Sequence, residues 1–223
     1  MNQNAQRRDF ILRTAAASLG LAAGLHAAPA WAKGTAAGTQ TILVLGDSLS
    51  AEYGLARGAG WVALLEQRLE KEGKTAAVVN ASVSGETTSG GRSRLPALLA
   101  QHTPDVVMIE LGGNDALRGL PLKNTQANLS AMAQAAKKAG AQVLVVGMQV
   151  PPNYGSAYAR QFEGLFSAVA KEHQTALVPF LLKGVADAAN ATALFQPDRI
   201  HPRAEAQPRM LDNVWPVLHK LLR

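Results

Sequence analysis

Polar residues that could carry out chemistry occur in four short segments of the chain. These are residues 46–50 (GDSLS), 80–91 (NASVSGETTSGG), 110–115 (ELGGND) and 197–202 (PDRIHP). Together they contain a serine, a glycine N–H, an asparagine amide, and a histidine three residues after an aspartate. Transfer of an acyl group to water needs such a set: a nucleophile, donors for an oxyanion, a base and the carboxylate that orients the base.

The candidate nucleophile, Ser48, follows the apolar run 42–45 (ILVL), which predicts a strand buried on both faces of a parallel sheet. Gly46 permits a sharp turn at the carboxyl end of that strand, where open α/β sheets bind their ligands. The same five residues also fit an ordinary polar turn with a serine at a helix N-cap. This segment alone favours the ordinary turn, and the other three segments reverse that balance.

Gly85 and Asn114 are the candidate donors to an oxyanion. Gly85 has no Cβ, so its N–H can come close to a bound ligand. Asn114 follows two glycines at the end of a predicted strand, and a side-chain amide is a known donor type in oxyanion holes. Each has a structural alternative: Thr87 or Ser89 could simply cap the next helix, and Asn114 could form an Asx-turn.

Asp198 and His201 lie three residues apart in a turn bracketed by prolines. On one tight turn the carboxylate can lie beside the imidazole, where it fixes the tautomer and stabilises the imidazolium formed when the histidine accepts a proton. The other histidines lie in the N-terminal segment or at predicted helix ends: His26, His102, His173 and His219. His201 is therefore the candidate base.

Five apolar runs alternate with segments of helical periodicity along the chain. The predicted strands are 42–45, 76–80, 105–111, 142–148 and 176–180. This alternation predicts an α/β fold, a three-layer α/β/α sandwich around a five-stranded parallel sheet, in one domain. Residues 116–122 (ALRGLPL) are predicted to form an apolar loop, either a mobile rim over an apolar substrate or a packed connection.

Composition excludes several classes of protein. The 223 residues, 48% of them hydrophobic and 17% charged, suit a soluble domain with a sizeable core. Cysteine is absent from the sequence, which excludes disulfides and thiolate metal sites. The basic residues are scattered without interleaved aromatics, so nucleic-acid binding is not indicated. No glycine-rich phosphate-binding motif is present, and no cofactor or metal is expected.

Residues 1–32 are predicted to be an export signal. Arg7 and Arg8 precede Phe10 in a pattern that resembles the twin-arginine type, and Ala30-Trp31-Ala32 fits an A-x-A cleavage site. The apolar run between them is too short and too rich in Ala and Gly for a membrane anchor. We therefore expect a flexible lead-in at 33–40, an enzyme domain at 41–223, and a periplasmic or secreted bacterial protein.

The four segments resemble, in order, the four sequence blocks of the SGNH (GDSL) hydrolase family. The similarity continues through RLPALLAQHTPD, GGNDALRGLPL, PPNYG and IHPRAEAQP, which resemble the bacterial multifunctional thioesterase I/arylesterase/lysophospholipase subgroup. It covers essentially all of 41–223. The resemblance implies a flavodoxin-like SGNH hydrolase fold and a serine esterase without a cofactor.

Carried over by position, the resemblance implies a role for each polar residue of the four blocks. Ser48 would be the nucleophile and His201 the base, oriented by Asp198. The oxyanion hole would consist of the N–H of Ser48, the N–H of Gly85 and the side chain of Asn114. These five residues make up a Ser-His-Asp hydrolase site.

The implied substrate is a small acyl ester or thioester beneath a flexible apolar rim, and a monomer is expected. Leu117 and Leu120 of the block-three loop, together with Tyr154 of the PPNYG turn, are the predicted substrate-binding residues. Two alternatives remain open: a carbohydrate O-deacetylase on the same scaffold, and a non-catalytic lipid-binding envelope protein. The apolar loop favours acyl chains, and the complete polar set favours an enzyme.

Overall fold

A sheet of five short parallel strands forms the centre of the molecule. The computed structural model describes residues 38–223, and the strands are β1 (Gln40–Gly46), β2 (Ala76–Asn80), β3 (Val106–Glu110), β4 (Gln142–Val146) and β5 (Ala176–Val178). Their order in the sheet is β2-β1-β3-β4-β5, and every neighbouring pair is parallel. This is the doubly wound, flavodoxin-like order, which confirms the predicted fold class.

The two central strands are the most deeply buried. All seven residues of β1 and all five of β3 are buried. Their apolar side chains fill both faces of the sheet because helices cover both faces. This rigid pair of strands leads directly into the GDSLS and GGND segments.

Two groups of helices enclose the sheet. On one face α1 (Trp61–Lys71) packs against α7 (Gln207–Leu218), and on the other α4 (Leu122–Lys138) packs between α2 (Thr88–His102) and α5 (Ser156–His173). The buried stripe of α4 repeats every three or four residues and consists of Thr125, Leu129, Met132, Ala133 and Ala136. Two shorter helices, α3 (Gly113–Leu117) and α6 (Ala191–Leu194), lie in connections. Among these helices, none is both long and apolar enough to span a bilayer.

The first strand begins one residue before the predicted domain boundary. Gln40 pairs with Ala76 in the sheet, and its side-chain oxygen accepts a hydrogen bond from the Arg223 N–H at 2.6 Å. Gln40 is itself 4% exposed. It therefore belongs to the sheet, whereas the sequence predicts a lead-in segment at 33–40.

The predicted loop at 116–122 is partly helical. Ala116 and Leu117 lie in α3, and Leu122 begins α4, so residues 118–121 form the connection. The buried carboxylate of Asp115 explains the difference, because it accepts hydrogen bonds from the Thr88 N–H at 2.8 Å and the Thr125 hydroxyl at 3.3 Å. These long-range contacts hold α3 in place despite the nearby glycine and proline.

Candidate active site

The predicted site residues meet at the carboxyl edge of the sheet, where the strand order reverses between β1 and β3. Ser48 follows β1, and Asn114 lies in α3, directly after β3. Gly85 lies on the connection after β2, the other neighbour of β1. Open α/β sheets bind ligands in the crevice at this kind of reversal. The topology therefore brings three separate segments to one crevice.

Ser48, His201 and Asp198 form one continuous chain of hydrogen bonds. Ser48 Oγ lies 2.8 Å from His201 Nε2, and His201 Nδ1 lies 2.7 Å from Asp198 Oδ2. Ser48 and His201 are 153 residues apart in the sequence. The sequence predicts this placement, with the serine and the aspartate on opposite nitrogens of the imidazole.

The turn that carries Asp198 is built to keep its carboxyl group ionised. Asp198 Oδ1 accepts hydrogen bonds from the N–H groups of Ile200 at 2.9 Å and His201 at 3.0 Å. Burial raises the pKa of Asp198, but the N–H groups of His201 and Ile200 and the His201 imidazole outweigh that effect and lower the pKa to about 2. The imidazole therefore faces a carboxylate at any pH at which the protein would be assayed.

The turn that carries Asp198 and His201, which we call the catalytic turn, is also hydrogen-bonded to the loop after β1. The Gln196 N–H donates to the His201 carbonyl at 2.8 Å, and Gln196 Nε2 donates to the Tyr53 carbonyl at 2.9 Å. The Tyr53 ring lies against the His201 imidazole, with 4.3 Å between ring centroids. The imidazole is thus held by a carboxylate at its edge and by an aromatic ring at its face.

The two backbone donors predicted for an oxyanion are free to bind a ligand. Within residues 38–223, neither the Ser48 N–H nor the Gly85 N–H has a hydrogen-bond partner. Gly85 adopts a φ of 80°, in the region that favours glycine. The Thr87 side chain accepts a hydrogen bond from the Gly90 N–H at 3.3 Å and caps α2, so the capping alternative holds for this neighbour of Gly85.

Asn114 bridges the ends of β1 and β3. Its side-chain Nδ2 donates to Asp47 Oδ2 at 3.0 Å, and Asp47 Oδ1 accepts from the Leu49 N–H at 3.0 Å. The Asn114 amide therefore bonds to the segment that carries Ser48, rather than forming the Asx-turn that the sequence left open. One of its two amide hydrogens is engaged by Asp47.

Asp47 and Glu110 form a buried carboxyl pair that the sequence analysis did not identify. The Asp47 N–H donates to Glu110 Oε2 at 3.3 Å, and the Ser50 hydroxyl donates to the same oxygen at 2.7 Å. Burial raises the pKa of Asp47 to about 6, despite hydrogen bonds from Leu49 and Asn114 that lower it. Burial and the nearby Asp47 raise the pKa of Glu110 well above its usual value.

A signal for this pair was present in the sequence. Glu110 is a charged residue at the end of an otherwise apolar strand, and a buried polar group needs a partner. Gly46 pairs with Glu110 in the sheet, and a Cβ at position 46 would lie 2.8 Å from Glu110 Oε2. Gly46 is therefore required for space beside the carboxyl group, and not for the sharp turn that the sequence suggested, because it still belongs to β1.

The three predicted substrate-binding residues lie in two environments. Leu117 and Leu120 are exposed, at 48% and 37%, on the connection after β3. Tyr154 ends the short 3-10 turn Pro152–Tyr154 that precedes α5, and its ring is stacked on that of Tyr158 with 5.8 Å between centroids. A role in substrate binding stays a prediction for all three residues.

The arrangement as a whole is suited to covalent acyl transfer. A serine hydroxyl can pass its proton to an imidazole that a carboxylate orients, while unpaired N–H groups are available for a developing oxyanion. Among residues 38–223, no group of three or more His, Cys, Asp or Glu side chains is placed to hold a metal ion.

Comparison with known proteins places this geometry in a family context. The model of the GDSL-like lipase/acylhydrolase family matches residues 44–208. The chain is 54% identical over 186 residues to esterase TesA of Pseudomonas aeruginosa, covering 83% of this chain and 91% of that protein. It is 42% identical over 177 residues to thioesterase 1/protease 1/lysophospholipase L1 of Escherichia coli K12, covering 79% and 82%. A crystal structure of TesA superimposes with a TM-score of 0.79 at 54% identity, covering 82% of this chain and all of the other.

Proposed function

Because the chain belongs to the GDSL-like lipase/acylhydrolase family, we propose that it is a serine esterase that hydrolyses acyl esters and thioesters through Ser48, His201 and Asp198. The observation that carries this proposal is the unbroken chain of hydrogen bonds from Ser48 Oγ to His201 Nε2 and from His201 Nδ1 to Asp198 Oδ2. A serine far from any base would be an ordinary alcohol, whereas this one can lose its proton as it attacks.

In the acylation step, Ser48 Oγ attacks the carbonyl carbon of the substrate while His201 Nε2 takes the hydroxyl proton. Asp198 remains ionised and stabilises the imidazolium. The negative charge that develops on the carbonyl oxygen is held by the N–H groups of Ser48 and Gly85 and by the Asn114 side chain. Each such donor lowers the barrier by roughly 2.7–4 kcal/mol.

The intermediate collapses when the bond between the carbonyl carbon and the leaving group breaks. His201 gives its proton to the departing alcohol or thiol, which leaves an acyl group on Ser48. A water molecule then attacks the acyl carbon and gives a proton to His201. That proton returns to Ser48 Oγ as the carboxylic acid departs, so the enzyme is regenerated.

The substrate class is inferred from the family and from the apolar residues that follow β3. The relatives described above are named as an esterase and as a thioesterase and lysophospholipase, which supports acyl esters and thioesters as substrates. Leu117 and Leu120 offer an exposed apolar surface near the site, which favours acyl chains over the carbohydrate esters of an O-deacetylase. We expect the enzyme to act on small-molecule acyl substrates as a monomer.

The test compares the parent enzyme with Ser48→Ala and with Ser167→Ala, a matched control at an exposed position of α5. The substrates are p-nitrophenyl esters of increasing chain length, palmitoyl-CoA and a lysophospholipid. We expect a burst of p-nitrophenol equal to the enzyme concentration, full activity in Ser167→Ala and none in Ser48→Ala. A Ser48→Ala protein that turns over any of these substrates at the parent rate would refute the proposal.

We also propose that the protein is exported. Support comes from Arg7 and Arg8, from the short apolar run after them and from the Ala30-Trp31-Ala32 site, all outside the described residues. Mass spectrometry of the periplasmic enzyme should find an N-terminus close to Lys33, and an intact segment 1–32 would contradict this. Export that survives replacement of both arginines by lysine would indicate the general secretory route instead of the twin-arginine one.

A further inference from the structure

The exposed large hydrophobic side chains of the described residues all lie around the proposed active site. We call this set the apolar collar: Tyr53, Val83, Leu117, Leu120 and Ile200. Their side chains are 37% to 50% exposed. Tyr53 follows β1, Val83 follows β2, the two leucines follow β3, and Ile200 precedes the candidate base. Apolar surface concentrated in one place on a soluble protein marks an interaction site.

Exposed arginines accompany the collar. Arg118 lies between the two collar leucines, and Arg199 precedes Ile200. Arg57 lies on the loop after Tyr53, which folds back so that the Gly58 N–H donates to the Glu52 carboxylate at 3.1 Å. Within residues 38–223, none of these three arginines forms an ion pair.

The carboxylates on the same segments are already engaged. Glu52 accepts hydrogen bonds from two backbone N–H groups, at 2.8 and 3.1 Å. Glu86 pairs with Arg94 at 2.6 Å, and Asp198 pairs with His201 at 2.7 Å. Among residues 38–223, the face around the site therefore combines exposed apolar groups with three arginines that no carboxylate pairs with.

We propose that the apolar collar docks reversibly onto a lipid surface that carries anionic headgroups. Aliphatic and aromatic side chains enter the boundary between headgroups and acyl chains, while arginines stay at the headgroup level. A groove for one acyl chain would extend from the site in a single direction. The collar instead comes from four segments around the site, which suits contact with a surface. Docking would place Ser48 against the surface from which acyl lipids are drawn, and it does not depend on the reaction itself.

The test measures co-sedimentation with vesicles of ether-linked phosphatidylglycerol or ether-linked phosphatidylcholine, neither of which has an ester to hydrolyse. We expect binding to the anionic vesicles, weaker binding to the neutral ones, and loss of binding as salt is raised. Arg57→Gln combined with Arg199→Gln should reduce partitioning about 25-fold, since each basic residue near an anionic surface contributes about fivefold. Hydrolysis of soluble p-nitrophenyl acetate by Arg57→Gln alone, which lies outside the turn of Asp198 and His201, should stay at the parent level.

The matched control removes two charges from the opposite edge of the sheet. Lys137 and Lys138 end α4, which leads into the amino end of β4. Lys137→Gln combined with Lys138→Gln should bind vesicles as the parent does. An equal loss in both double variants would show that net charge drives binding, and would overturn docking through the collar.

A tryptophan in the collar gives a second, independent readout. In Val83→Trp, the fluorescence of the new indole is obtained by subtracting the spectrum of the parent. With anionic vesicles its emission should shift to shorter wavelength, and lipids brominated in their acyl chains should quench it. An unshifted spectrum would overturn the proposal, and so would sedimentation velocity showing that the collar joins two copies of the chain. Failure of vesicle binding with intact ester hydrolysis would refute docking and leave the proposed function standing.

Discussion

The side-chain amide of Asn114 donates a hydrogen bond to the buried carboxyl group of Asp47, with 3.0 Å between Nδ2 and Oδ2. The other oxygen of Asp47 accepts the Leu49 N–H. Asp47 therefore ties the turn that carries Ser48 to the amide proposed to stabilise the oxyanion. The second hydrogen of the amide is left to donate to substrate. Asp47 is thus a positioning residue that acts through Asn114.

Replacing Asp47 with alanine should lower kcat about tenfold to a hundredfold with little change in KM. A small displacement of an oriented group is enough to cause losses of that size. Asp47→Asn keeps an oxygen that can accept the Asn114 amide and should recover much of the rate. Steady-state kinetics with a soluble p-nitrophenyl ester measure both variants. Equal rates in Asp47→Ala and the parent would show that Asn114 is held without Asp47.

Asn114→Ala should leave a folded enzyme whose kcat is lower by about 10²–10³-fold, because the lost donor acts on charge that develops only during the reaction. The unfolding free energy should change by about 1 kcal/mol, the net contribution of an ordinary hydrogen bond. Kinetics and urea unfolding of the same preparation separate the two effects. An unchanged kcat would restrict Asn114 to a structural role in joining α3 to the Ser48 segment.

The buried carboxyl pair predicts that stability falls as pH rises through the weakly acidic range. Burial raises the pKa of Asp47 from 3.8 to about 6, so the folded state holds this proton more tightly than the unfolded chain does. The associated stability is present below about pH 4 and is lost as pH rises through 6, by about 3 kcal/mol. Glu110, Asp115 and His201 also act on Asp47, and Glu110 titrates with a pKa shifted in the same direction.

Urea unfolding of the parent and of Asp47→Asn between pH 4 and pH 7 measures this effect. The parent should lose stability relative to the variant as pH rises, because asparagine carries no charge to bury. Parallel curves for the two proteins would contradict the assigned cause. The opposite sign, with the parent gaining stability, would mean that Asp47 has a stabilising charged partner.

Asp198→Asn should lower kcat by about 10⁴-fold while substrate binding persists, because the amide no longer holds the imidazole in the tautomer that accepts the serine proton. The pKa of Asp198 is about 2, so the residue is not protonated at the pH of ordinary assays, and lowering the pH within that range does not have the effect of the substitution. Asp212→Asn, on the exposed face of α7, is the matched control and should be fully active. A fully active Asp198→Asn would remove the residue from the mechanism.

The fold was largely predictable because its signals are local. The apolar residues of 42–45 and 76–80 predict strands on their own, and the structure has β1 and β2 there. Ser48 and Asn114 are identifiable because the carboxyl ends of parallel strands share one edge of a sheet. The Asp198 to His201 turn lies far beyond β5, and it is identifiable from the spacing of the two residues.

The contacts that tune the site were not predictable in the same way. Asp47 and Glu110 are 63 residues apart in the sequence. They meet because β1 pairs with β3 in a register that places Gly46 opposite Glu110, and the periodicity of apolar residues does not specify this register. The Arg118 guanidinium donates to the Gly85 carbonyl at 2.8 Å across two separate connections. Likewise, α3 is held by the tertiary partners of Asp115, against the local preference of the glycines around it.

Covalent labelling of the active enzyme tests the central claim, that Ser48 is the nucleophile, most directly. The protein would be treated with a reactive alkyl phosphonate ester, digested, and its modified peptide sequenced by mass spectrometry. We expect one phosphonyl group per chain, attached to Ser48, with activity lost in proportion to labelling and no label on Ser48→Ala. Stoichiometric, inactivating modification of another residue such as Ser50, with Ser48 unmodified, would contradict the assignment of Ser48 as the nucleophile.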